Sequence, residues 1–153
     1  MKNVYKVLLC LSVFCAYIST SAQTPPVREP DMNRANLFQG LPEKISCRIN
    51  DLTSLLESQT GQNISIPFFN SLNFQGTITS MATLYDSKLQ SVVIRSTNFP
   101  GAALSFSKII KEDGSINYTG RIISFQHGDA YEIRQENGEY FFIKKGFYDL
   151  VNE

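Results

Sequence analysis

From Gly61 onward, runs of β-branched and aromatic residues are broken at short intervals by clusters of Gly, Asn, Asp, Pro and Ser, and no helical period returns. Strands of this kind, joined by tight turns, pair antiparallel with their neighbours in sequence. Strands are expected over Asn63–Phe68, Phe74–Tyr85 with an irregularity inside, Leu89–Ser96, Ala102–Ile110, Ser115–Phe125, Ala130–Gln135 and Glu139–Lys145. The expected fold is mainly β within the α+β class: an antiparallel β-meander forming a curved sheet or small barrel, with one short N-terminal helix.

Two turns set the register. Asn137-Gly138 suits a two-residue type I′ loop, which requires positive φ at both positions. It places Ile133 opposite Phe142 and Gln135 opposite Tyr140, so that Tyr131, Ile133, Tyr140 and Phe142 share the core face. At Asp113-Gly114 a two-residue loop would set Leu104 and Phe106 beside Thr119 and Arg121. A three-residue loop, Glu112-Asp113-Gly114, instead pairs Ile110 with Ile116, Phe106 with Gly120 and Leu104 with Ile122, and puts Phe106 over the bare backbone of Gly120. Ile122, Ile123 and Phe125 place apolar groups on both faces, which calls for a bulge or for cover on both sides.

Upstream, Ile45, Cys47 and Ile49 alternate with Lys44, Ser46 and Arg48 as in a short strand. A helix capped by Asn50 would follow, with Leu52, Leu55 and Leu56 on its apolar face and Gly61 at its left-handed end. One longer helix from Pro42 to Ser58 fits the same residues. Residues 23–36 carry Pro25, Pro26 and Pro30 among polar neighbours and read as a flexible leader, with a single domain over 37–153.

Lys2 and Lys6 precede an apolar run from Val7 to Ile18, and Thr20 and Ala22 are small. These are the marks of a secretory signal peptide over residues 1–22, cut before Gln23, and they predict an exported protein of the periplasm or cell exterior whose mature chain has no transmembrane segment. Bulky Leu9 and Phe14 precede Cys10 and Cys15 and argue against lipidation of either cysteine. Loss of Lys2 and Lys6 leaves 12 of the 14 basic residues against 14 acidic ones, scattered except for Lys144-Lys145. Such a chain lacks the clustered basic surface that nucleic acid requires. Cys47 is then the only cysteine, so no intrachain disulfide is available and an apolar core must hold the fold. Its thiol is expected to be buried and inert, the alternative being an exposed one that pairs with a partner.

No catalytic, cofactor-binding or metal-binding constellation stands out. The lone histidine sits in Gln126-His127-Gly128-Asp129, read as a turn with a solvent-facing imidazole. A base role for His127 with Asp129 as orienter would need a Ser or Cys brought across the fold. Cys47 and His127 are too few and too far apart in sequence for a structural zinc site, and Glu112-Asp113 or Asp129 with Glu132 are too sparse for calcium. Glu132, Glu136 and Glu139 lie at or near a hairpin end and are expected to be solvated. Phe68, Phe69, Phe99, Phe141, Phe147 and Tyr148 are numerous enough for some to form a partner surface, the alternative being packing on both sides of a curved sheet. Phe147, Tyr148, Leu150 and Val151 are expected to dock back onto the domain.

The order of segments around Asp51–Glu57, Asn63–Pro67, Phe74-Gln75-Gly76-Thr77-Ile78, Ala103-Leu104-Ser105, Gly120-Arg121-Ile122 and Tyr131-Glu132-Ile133 before Asn137-Gly138 resembles the propeptide-type β-domains of secreted bacterial metallopeptidases. No zinc-binding histidine motif accompanies them, so no catalytic role is implied. For a chain without the peptidase, the resemblance implies a free-standing inhibitor or chaperone. The leading expectation is an exported, non-catalytic interaction domain that needs no cofactor and binds a protein of the envelope or secreted fraction. A small β-barrel holding an apolar ligand is the second, and an enzyme built on His127 and Asp129 the third.

Overall fold

The computed structural model describes residues 34–68 and 72–151. Its elements are β1 (Lys44–Cys47), α1 (Ile49–Thr53) running into a 3-10 turn (Ser54–Glu57), β2 (Asn63–Phe68), β3 (Leu72–Leu84), β4 (Leu89–Ser96), β5 (Ala102–Ile110), β6 (Ile116–Ser124), β7 (Asp129–Glu136), β8 (Glu139–Gly146) and α2 (Phe147–Val151). The eight strands form one antiparallel sheet in the order β1-β8-β7-β6-β5-β4-β3-β2. From β2 to β8 this is a simple meander. The first strand returns to pair with the last, and the edges β1 and β2 come side by side without a ladder, so the sheet curls into a nearly closed barrel. Pro67 fits β2 because that strand is an edge and owes no hydrogen bond on its outer side.

Both sequence-derived registers hold. Asn137 and Gly138 have φ of 52° and 86°, and Ile133 pairs with Phe142 and Gln135 with Tyr140. Gly114 is left-handed at the third loop position, and Phe106 pairs with Gly120, Leu104 with Ile122 and Ile110 with Ile116. The irregularity expected in the long third strand is a register shift between Ile78 and Ser80.

The inward faces of the strands meet in one core. Phe68, Phe74, Phe106, Phe142 and Tyr131 are fully buried there with Ile45, Ile78, Ile94, Leu104 and Ile122. Phe68 and Phe142 join β2 to β8 across the seam, with rings 5.0 Å apart. Leu52 and Leu55 enter the same core from α1 and its 3-10 turn. Burial on this scale, at about 25 cal/mol per Å² of apolar surface, supplies the main stabilising term, since among the described residues the one cysteine, Cys47, is free.

Three local expectations change. Strand then helix is the arrangement found, but Arg48 rather than Asn50 stands at the helix N-cap, and no side chain caps it. Gly61 is left-handed, yet it lies in the turn before β2, beyond the 3-10 segment, where its N–H bonds to Ile78. The C-terminal segment coils into α2, where a helix was not expected. Phe147 and Leu150 are buried, Tyr148 is exposed, and Phe147 packs edge-on against Phe125 at 5.8 Å. That contact, with the bond from Arg121 to the Leu150 carbonyl, covers the outer face beside the Ile122-Ile123 stretch. Residues 1–33, over which the signal peptide and most of the leader are expected, lie outside the described residues.

Candidate functional site

His127 does not face solvent. It is 6 % exposed, because the turn after β6 folds inward and the Ser124 hydroxyl lies 2.9 Å from its Nδ1. Asp129 is buried and committed elsewhere: its two carboxylate oxygens accept the Leu37 N–H at 2.8 Å and the Phe38 N–H at 2.6 Å. The pair therefore does not form an orienter-and-base chain. Asp129 moors the turn over residues 37–40 that leads into β1, and Ser124 with His127 closes the β6–β7 turn, where Ser124 Oγ accepts the Gln126 N–H. Among the described residues no cluster of three or more His, Cys, Asp and Glu side chains could hold a metal ion.

Cys47 is buried on the core side of β1, and burial followed by the charge of Asp51 pushes its thiol up to about 12. Of the candidate partner aromatics, Phe68 is core, Phe147 is buried at the start of α2, and Phe69 falls outside the described residues. Phe99 is half-buried, tilted on Phe38 at 5.5 Å and stacked near Phe74 at 6.3 Å. Phe141 is half-buried, and the Lys44 ammonium sits 3.8 Å from its ring centroid. Tyr148 is the exposed member of the set, and the other exposed large apolar groups lie elsewhere: Tyr85, 75 % exposed, with Leu84 at the β3–β4 turn, Ile116 at the start of β6 and Phe125 just after it. Glu132 also departs from expectation. It is buried, bonded to Arg121 at 3.3 Å and to Arg134 at 2.7 Å.

The recess that these residues border was not foreseen. β5 and β6 pair over their whole length, and so do β7 and β8. Between β6 and β7, pairing covers only Ile123↔Ala130, Ile122↔Tyr131 and Arg121↔Glu132. Past Glu132 the two hairpins part, leaving a notch of about 650 Å³ in the barrel wall. Ser105, Ser107 and Thr119 keep its outer side low, while Arg121, Glu132 and Arg134 bound one end. Its inner side is closed by Tyr118 and Tyr140, whose rings meet edge to face at 5.6 Å. Burial, and next the neighbouring Tyr118, raises the Tyr140 hydroxyl above its ordinary range.

No family model, curated protein or solved structure matches this chain. The one sequence signal for the notch was Gly120, a glycine inside a strand, which marks a close approach by another element. Phe106 is its cross-strand partner, but the group that comes closest to its missing side chain is Ile133 of the next hairpin.

Proposed function

We propose that this protein is an exported, non-catalytic interaction domain that engages its partner at the notch between β6 and β7. The signal-peptide features of residues 1–22 support export. The notch itself carries the reading: the aromatic side chains of the barrel pack on one another as a core, whereas the wall opens into a polar recess large enough for part of a partner. The residues that would have supported an acid–base mechanism are occupied in holding turns and the chain's entry.

The test is retention of envelope and secreted proteins on the immobilised protein, compared with Ser107→Trp, which fills the outer side of the notch without touching the core. Enrichment of a protein on the parent and its loss on the variant, at unchanged melting temperature, is the expected result. Equal retention on both, or none on either, would overturn the proposal.

A further inference from the structure

The notch has a backbone chemistry of its own. A two-residue type I′ loop closes on a hydrogen-bonded pair, here Glu136↔Glu139. Hydrogen bonding to β8 therefore falls on Glu136 and Arg134, and the backbone groups of Gln135 point the other way, toward β6. On β6 the hairpin closes on Lys111 and Ser115, joined by a 2.9 Å backbone bond. The same alternation turns Ser115, Asn117 and Thr119 toward β5 and Tyr118 toward β7. Both assignments agree with the Ile122↔Tyr131 pair, in which each residue faces the other strand.

Tyr118 and Gln135 thus each direct an N–H and a C=O into the notch, and among the described residues no strand pairs with them on that side. These are two facing edges inside the sheet, whereas the other unladdered seam, between β1 and β2, lies where its two ends meet. An unpaired edge is a template for another chain, and protein folds usually cover it, charge it or twist it away. Here it is sheltered from sideways contact by its opposite edge and left open outward.

We infer that the notch binds an extended polypeptide segment of a partner, roughly four residues long, which completes the wall as an added strand. This deepens the interaction-domain reading and rests on it. Tyr118 and Gln135 each offer one donor and one acceptor, and a short extended chain is the ligand that presents matching donors and acceptors to two facing edges at once. Alternate side chains of the segment would lie on the Tyr118 and Tyr140 rings, favouring apolar groups there. Those between would face outward beside Ser107 and Thr119, favouring small or polar ones.

The probe is a phage-displayed library of random linear peptides selected on the full exported protein, followed by amide exchange of the protein with one synthesised binder. Binders should alternate apolar and polar residues. Exchange at the Tyr118 and Gln135 amides should slow by roughly tenfold or more on binding. Gln135→Pro removes a donor that serves no ladder bond, so it should keep the melting temperature while weakening the peptide roughly tenfold. If the peptide protects other amides, or binds Gln135→Pro equally well, the strand-addition inference fails and the interaction-domain reading stands. If no peptide is selected although an envelope protein is retained at the notch, the inference again fails alone. Failure of both selection and retention removes both.

Discussion

Gly120 and Ile133 compete for one volume. A Cβ on Gly120 would stand 2.6 Å from Ile133 Cδ1 and 2.9 Å from the Ser105 carbonyl oxygen, well inside van der Waals contact. The isoleucine tip can swing, but the backbone of β5 is fixed by its ladder. Gly120→Ala should therefore destabilise the fold by about 1–3 kcal/mol, seen as a lower urea midpoint. Ile133→Val in the same background should return part of the loss, because it removes the nearer obstacle. Purely additive effects of the two changes would show that the two residues are not coupled.

How much of this was legible follows from the range of the interactions. Each hairpin carries its register in its own turn: Asn137-Gly138 for β7–β8 and Glu112-Asp113-Gly114 for β5–β6. These are local rules, and the pairs Ile133↔Phe142 and Phe106↔Gly120 follow from them. The β6–β7 ladder ends beside the meeting of Ile133 with Gly120 and of Tyr118 with Tyr140, contacts between hairpins that no turn encodes. Burial of His127 and Asp129 was missed for a like reason. A histidine, glycine and aspartate in a turn read as exposed, and only the arrival of Leu37 and Phe38, some ninety residues earlier in the chain, covers the carboxylate.

That carboxylate gives a second prediction. Asp129 accepts two backbone N–H groups from consecutive residues, and the ring of the second, Phe38, lies between Phe99 and Tyr131 at 5.5 and 5.2 Å. Asp129→Asn offers one acceptor in place of two and turns an amide donor toward an N–H. It should cost about 1.5–3 kcal/mol and speed exchange at the Leu37 and Phe38 amides ahead of the sheet. Loss of stability without faster exchange at those two positions would count against the mooring role.

The β3–β4 turn stores backbone strain. Tyr85, Asp86 and Ser87 all have positive φ, at 53°, 51° and 68°, and none is glycine. The Lys88 N–H bonds to the Tyr85 carbonyl at 3.0 Å and holds the turn closed. Aspartate tolerates this region, whereas serine gains little from it. Ser87→Gly should raise stability by about 1 kcal/mol, the steric relief exceeding the added freedom of the unfolded glycine. A lower melting temperature for this variant would mean that the Ser87 side chain holds the turn in a way its backbone angle does not reveal.

Burial of the Cys47 thiol links stability to alkaline pH. Its native value is pushed up to about 12 by burial and then by Asp51, against 9.0 for an unperturbed thiol. Between those values the unfolded chain gives up the proton and the native chain keeps it. The unfolded state then binds fewer protons, so stability is complete below about pH 9 and falls as pH rises toward about 12. Tyr131, raised by burial and then by Glu43 and Asp129, adds to the loss in the same direction. The urea midpoint should drop between about pH 8 and pH 10.5, and Cys47→Ala, though less stable at the lower pH, should drop by less. In the parent at about pH 8 the thiol should resist a thiol-specific reagent until urea unfolds the chain. A parallel decline in parent and variant would assign the alkaline loss to Tyr131 and Tyr140 instead.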